Sequence, residues 1–420
     1  MNLPMAPTLP PTAPTSSSPA APAPSAPALP PAGPTSSSPA AAPAPSAPAL
    51  PMVPAQAPAP ALSGREIAEL KDEVRALAGE RGAVILAHNY QVPEIQDVAD
   101  YVGDSLGLSR RAAATDAAVI AFCGVHFMAE TASILCPEKT VLIPDLDAGC
   151  SLAASIDAEQ LAEWRARYPR GVVVMYVNTT AEVKALTDYC CTSANAVDVV
   201  RHIYDTRGPG TEILFGPDMW LGAYVEKMTG ERMHVWDGEC HVHAGIRPDD
   251  IAATRAAHPD ADFLIHPECG CTTSIMEYVA AGDVSAQGVH MLSTGGMLRY
   301  AEQAASSPKG EREAAEELEE GAGRGSERPA SVGGATNGQA SPRRRQAIVA
   351  TETGMLYPLR MAAPDVEFIP ANAEASCVYM KMITLPKLRD ALRDMQFEVR
   401  VPADVAVRAR VPIDRMVALG

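Results

Sequence analysis

Residues 1–64 contain no Asp, Glu, Lys or Arg. This excludes the basic start of a secretory signal and the arginines usual in a transit peptide, and the stretch has no continuous apolar segment either. Nowhere in the 420 residues does an uninterrupted apolar run reach the roughly 18 positions needed to span a bilayer. Positive charge is scarce: 34 Lys and Arg against 51 Asp and Glu leave −17, which argues against nucleic acid or an anionic membrane as partner. C-x-x-C is also missing, so no contiguous zinc ribbon or ferredoxin motif is present. The expectation is a soluble, cytoplasmic chain.

What residues 1–62 do contain is Pro, Ala and Ser, with residues 14–30 repeated almost verbatim at 34–51. Proline removes backbone donors, and Ala and Ser offer little apolar surface against the entropy of ordering, so this tail is expected to be disordered. A second low-complexity stretch, residues 303–345, begins Glu-, Lys- and Ala-rich, passes through Gly, Ser and Asn, and ends in three arginines. A loop of that length inside a domain is expected to be a disordered insertion. Nine cysteines, an odd number scattered through a large chain, point to a reducing compartment, with thiols free for metals or catalysis.

Between these stretches the chain reads as α/β. Ser63-Gly64-Arg65-Glu66 is a capping-box pattern, followed by Ile67, Leu70, Val74 and Leu77 at helical spacing. Short β-branched runs then alternate with helical stretches, as in parallel sheets. The runs fall into three sets of four. First strands at 84–87, 172–176 and 263–265 lead into His88-Asn89-Tyr90, Tyr176-Val177-Asn178 and His266-Pro267-Glu268. Second positions end in Asp104-Ser105, Thr192-Ser193 and Ser293-Thr294. Third strands at 119–122, 213–215 and 347–350 exit through 123–126, 216–218 and 351–354. Fourth strands at 141–143, 234–236 and 366–369 each precede a cysteine: Cys150, Cys240 and Cys377. The pattern predicts three analogous α/β domains with short parallel sheets around a pseudo-threefold axis, at 63–150, 151–240 and 241–420, the last carrying the insertion and a C-terminal helical segment. Parallel sheets place ligands at strand carboxyl ends, so these residues should converge on a central site.

Three converging thiolates suit zinc or an iron–sulfur cluster, and a cubane held by three cysteines keeps one iron open as a Lewis acid. Spacing alone leaves other ligands open: Cys123, the pair Cys190-Cys191, and Cys269-Gly270-Cys271.

The segments AHNYQVPEIQDVADYVGDSLGLSR, GVHFMAETASILCPEKTVLIPDLDAGCSLA, YVNTTAEVKA, CTSANA, FGPDMWLGAYV, GECHVH, FLIHPECG, STGGML, ATETGML and ASCVYMKMITL resemble quinolinate synthase in order, from about residue 64 to the C-terminus. The resemblance implies three analogous α/β domains and condensation of iminoaspartate with dihydroxyacetone phosphate, with loss of phosphate and two waters, in de novo NAD biosynthesis. It implies a [4Fe–4S] cluster on Cys150, Cys240 and Cys377, leaving Cys123 outside the ligand set. Glu268 then looks like the acid/base residue and His266 like a carboxylate contact. His88 and Tyr90 would bind substrate and shuttle protons, and Tyr176 and Asn178 would touch the condensing skeleton. Ser105, Ser193, Ser293 and Thr294 would hold carboxylates or phosphate beside helix N-termini, and His243 would lie near the cluster. An aspartate-oxidising enzyme would supply the imine. The competing readings are a [4Fe–4S] hydro-lyase of the aconitase type acting on a hydroxy-polycarboxylate, a zinc hydrolase, and an iron–sulfur redox sensor, for which a basic reading element is lacking.

Overall fold

The computed structural model describes residues 62–281, 288–306 and 345–419, all within one compact unit. The expected tail and insertion lie almost wholly outside the described residues. Of the insertion, only residues 303–306, the last turn of the helix Thr294–Ser306, and Arg345 are described.

Folding opens with the anticipated capping box. Ser63 Oγ accepts from Glu66 N while Glu66 Oε2 accepts from Ser63 N at 2.8 Å, and the helix runs Gly64–Arg81. It stops at Gly82, whose φ of 58° is left-handed and open to glycine without steric cost.

Twelve strands follow in three sheets of four. The first holds β1 (Ala83–His88), β2 (Tyr101–Gly103), β3 (Val119–Cys123) and β4 (Thr140–Leu142). The second holds β5 (Val172–Tyr176), β6 (Tyr189–Cys191), β7 (Ile213–Gly216) and β8 (His234–Val235). The third holds β9 (Asp262–Ile265), β10 (Val289–Met291), β11 (Gln346–Ala350) and β12 (Glu367–Pro370). Their spatial orders are β2-β1-β3-β4, β6-β5-β7-β8 and β10-β9-β11-β12, one order used three times. Every pairing within these sheets is parallel, with Leu86 opposite Phe122, Val173 opposite Leu214 and Phe263 opposite Ile348 in the three central ladders. Central strands such as VIAFC and VVVMY are buried at every position, because helices cover both faces of a parallel sheet.

The helices repeat as well. Before each first strand come Gly64–Arg81, Ala158–Arg167 and Pro248–Ala257; after each second strand come Ser105–Ala114, Ala196–Arg207 and Thr294–Ser306. The fourth strands match the predicted positions to within about two residues at either end.

The C-terminal segment ties units one and two together. The helix Leu385–Asp394 packs on Gly64–Arg81, and residues 397–399 run beside β4, with Val399 N donating to Val141 O at 2.8 Å. The last helix, Ala403–Ala418, packs on His126–Leu135 from the first unit and on Ala181–Lys184 and β6 from the second. Ala409, Ile413 and Met416 are fully buried there, Arg415 stacks over Tyr189 at 4.8 Å, and Asn195 Nδ2 donates to Met416 O at 3.0 Å. Deleting a buried methylene cluster costs transfer energy plus a cavity, so Ile413→Ala is expected to lower stability by about 3 kcal/mol. Urea unfolding would register this as a lower midpoint at unchanged slope; an unmoved midpoint would mean the last helix does not hold the two units.

Candidate active site

Strand exits from all three sheets line one cleft. The first sheet contributes His88, Tyr90, Ser105 and Cys150; the second Tyr176, Asn178, Ser193 and Cys240; the third His266, Glu268, Thr294 and Cys377. Ser293 is the one predicted site residue outside the lining. Its Oγ accepts from Gly296 N at 3.2 Å and so fixes the start of the helix that carries Thr294.

Cys150, Cys240 and Cys377 share one local arrangement. Each precedes a helical turn, and each sulfur receives the amide of the residue three positions on: Ala153, His243 and Met380 respectively. Leu152 and Tyr379 add second amides to Cys150 and Cys377. Each thiol is half-buried and free, and each feels the charge of at least one of the others or of a facing carboxylate. Without a metal, burial pushes Cys150 up to about 12 and the other two upward. Amides aimed at sulfur counter that shift, which is what a thiolate ligand needs.

The other cysteines sit differently. Cys123, Cys190 and Cys191 are fully buried in strands, where desolvation favours the neutral thiol, and Cys136 donates to Ala112 O. Cys269 and Cys271 are buried and joined to one another as a disulfide. The donor chemistry therefore fits a soft-metal centre at Cys150, Cys240 and Cys377.

Two carboxylates hold this geometry, and sequence reasoning gave them no role. Asp218, at the exit of β7, accepts from Trp220 N, Leu221 N and Cys240 N at 2.7, 3.0 and 3.2 Å. Glu352, at the exit of β11, accepts from Cys377 N at 3.0 Å and Gly354 N at 2.8 Å, and pairs with Lys381 at 2.8 Å. Both acids fall at equivalent third-strand exits in the repeat, and that was the available signal. In the first unit the corresponding exit has no acid; there His126 N donates to Ala148 O at 2.8 Å.

Beside the thiols runs a buried polar chain. Its acid is Glu268, whose Oε2 lies 3.2 Å from His243 Nδ1 and 3.4 Å from His266 Nδ1. His243 Nε2 reaches Tyr90 OH at 3.2 Å and Thr351 Oγ1 at 3.0 Å, and His266 Nε2 reaches Ser193 Oγ at 3.1 Å. The two imidazoles stack 4.8 Å apart, and the Tyr176 phenol lies against the Glu268 carboxyl.

Desolvation dominates the charges here. It pushes His88 and His243 down to about 3 and His266 well below its ordinary value, and raises Glu268 to about 8, helped by the charge on Asp218. In both the imidazoles and the carboxyl, burial thus favours the uncharged form, against an ion pair between them. Such a chain can give or take a proton near neutral pH. The ligand atoms of His243, His266 and Glu268 lie within 4.8 Å of one another, a spacing that could also gather an ion. Asn178 Oδ1 and Glu268 Oε1 are buried without a hydrogen-bond partner among the described residues, as expected of atoms that face a ligand.

The helices Ser105–Ala114, Ala196–Arg207 and Thr294–Ser306 also begin at the cleft. Their first amides make the wall there favourable for anions.

The family model described as Quinolinate synthetase A protein matches residues 72–310 and 328–418. A protein named quinolinate synthase from Mycobacterium tuberculosis (strain ATCC 25177 / H37Ra) is 51% identical over 349 residues, 83% of this chain and 88% of the relative. One of the same name from Mycobacterium sp. (strain KMS) is 51% identical over 83% of this chain and 91% of its own length. Another, from Mycolicibacterium paratuberculosis (strain ATCC BAA-968 / K-10), is 51% identical over 354 residues, 84% of this chain and 89% of the relative.

The raised Glu268 carboxyl has a signed consequence. A folded-state pKa above the unfolded one gives stability that is present below the unfolded value and is lost as pH rises through about 8. Glu268→Gln removes that loss. Urea unfolding of metal-free protein between about pH 5 and pH 9 should therefore show the variant gaining on the unaltered chain as pH rises. A gap independent of pH would mean that Glu268 titrates as an ordinary carboxylate.

Proposed function

The chain belongs to the quinolinate synthetase A family, and from that premise we propose that it condenses iminoaspartate with dihydroxyacetone phosphate into quinolinate, releasing phosphate and two waters. The observation that carries this reading is the thrice-repeated cysteine cradle around one cleft that also holds the His243–Glu268–His266 chain. Cys150, Cys240 and Cys377 would hold a [4Fe–4S] cluster. When bound, such a cluster supplies a Lewis-acid iron for the loss of a poor leaving group.

This chain's own residues divide the remaining work. Substrate carboxylates and the phosphate would sit against the amides and hydroxyls of Ser105, Ser193 and Thr294, with Ser293 holding the helix start in place. His266, neutral and bonded to Ser193, would donate to a substrate carboxylate. Asn178 Oδ1, lacking a partner among the described residues, would accept from the amino or hydroxyl group of the condensing skeleton, with Tyr176 beside it. Glu268 would remove and return the protons of the imine and enamine steps, because its carboxyl is poised near neutrality. Tyr90 would relay protons through His243 and Thr351, and His88 would contact the substrate as a neutral donor.

An aspartate-oxidising reaction must supply the imine, which hydrolyses in water. No described helix is long and apolar enough to cross a membrane.

Anaerobically purified protein is expected to hold about four irons and four sulfides per chain and to form quinolinate from the two substrates. Cys150→Ser should lose iron and turnover together. A variant that kept a full cluster would overturn the ligand set. Unaltered protein with a full cluster but no quinolinate would favour a hydro-lyase acting on a hydroxy-polycarboxylate.

A further inference from the structure

Glu268 sits between two imidazoles, yet the three side chains satisfy one another poorly. Its Oε2 lies 3.2 Å from His243 Nδ1 and 3.4 Å from His266 Nδ1, but His243 Nδ1 and Glu268 Oε1 have no hydrogen-bond partner among the described residues. His266 Nδ1 receives only a long contact, 3.5 Å, from Glu268 N. All three side chains are almost wholly buried and line the cleft. Buried acceptors gathered in this way need something positive among them, a proton or a metal ion.

The outer side of each ring is arranged as a metal-binding histidine requires. His243 Nε2 lies 3.2 Å from Tyr90 OH and 3.0 Å from Thr351 Oγ1, and His266 Nε2 lies 3.1 Å from Ser193 Oγ. With Nε2–H donating to these hydroxyl oxygens, each Nδ1 keeps its lone pair on the Glu268 side. Outer partners of this kind fix the tautomer and the orientation of a ligating ring. Burial holds both imidazoles in the neutral form that ligation needs.

The spacing agrees. Bonds of about 2.0–2.1 Å at tetrahedral angles put neighbouring ligand atoms about 3.3 Å apart. The two histidine-to-carboxylate separations bracket that value, and no two of the three ligand atoms are more than 4.8 Å apart. We propose that His243, His266 and Glu268 form a second metal site, distinct from the three cysteines, that takes zinc or a similar borderline divalent ion and is inhibitory. Two imidazoles with one carboxylate suit such an ion better than calcium or magnesium, which take oxygen. Three protein ligands leave a fourth position open toward the cleft. The charges nearby favour a cation: Asp218 acts on Glu268, and Glu268 in turn acts on Cys150 and Cys240.

Zinc entering the site displaces the Glu268 proton to solvent and makes the carboxylate a ligand. The group assigned the proton transfers of the condensation is then occupied, so zinc binding and turnover exclude one another. This inhibitory half of the inference rests on the function proposed above.

The test uses anaerobic holoenzyme, in which iron content reports on the cysteine site. About one zinc per chain is expected to remain after desalting, with iron unchanged and a zinc K-edge spectrum showing nitrogen and oxygen at about 2.0–2.1 Å and no sulfur at about 2.3 Å. Glu268→Gln and His266→Gln should each weaken zinc by roughly tenfold or more at unchanged iron. Zinc at about ten times its dissociation constant should cut quinolinate formation by roughly tenfold, and a chelator should restore it. A sulfur shell with loss of iron would overturn the site, as would equal zinc affinity in the unaltered chain and both variants. Retained zinc without inhibition would overturn the inhibitory role. Holoenzyme that binds zinc as expected, yet makes no quinolinate when zinc-free, would instead overturn the functional reading.

Discussion

The parallel direction of the strands is the constraint on which the site depends. A parallel ladder sends every carboxyl end to the same edge of its sheet, and crossover helices must return the chain to the opposite edge. With one strand order used three times, equivalent loops from three units meet at one place. The first-strand exits bring His88, Tyr176 and His266, the second-strand exits bring hydroxyls at helix starts, and the fourth-strand exits bring the cysteines. Chemistry is thus sorted by strand position: proton carriers after the first strands, helix starts after the second, sulfur after the fourth.

Burial then determines what those groups can do. Three imidazoles and a carboxyl are almost wholly buried in the cleft wall, and desolvation favours the uncharged form of each. A neutral, hydrogen-bonded chain can pass a proton without leaving a bare charge in a medium of low dielectric. The same burial raises the thiols, and the amides of the following turns are the local counterweight. Asp218 and Glu352 act one step further out: each commits a carboxylate to the backbone amide of a cysteine, holding the loop whose turn presents the sulfur.

The units are held by more than their shared cleft. The last two helices run back over the first and second units, and Ala409, Ile413 and Met416 are buried against them. Hydrogen bonds add to this across the cleft, where Tyr90 of the first unit meets His243 and Thr351 of the third.

The sequence by itself determined the repeat, because periodic burial leaves a mark in every strand: twelve short β-branched runs, a hydroxyl after each second one, a cysteine after each fourth. It also determined the first helix, whose cap is a local interaction between Ser63 and Glu66. Its motifs named His88, Tyr176, Asn178, His266 and Glu268 before any geometry was known. Three things were decided only in the tertiary structure. Spacing left Cys123 and Cys150 alike, the resemblance separated them, and the physical difference, one sealed in a sheet and the other cradled by amides at the cleft, exists only in the packing. Asp218 and Glu352 read as ordinary loop acids until the backbone of a cysteine 22 or 25 residues away comes within reach. The Asn89–Thr294 hydrogen bond joins positions 205 residues apart. The physical reason is one of range: capping and alternation act between near neighbours in the chain, while desolvation and long-range hydrogen bonds exist only once the three sheets have closed on one another.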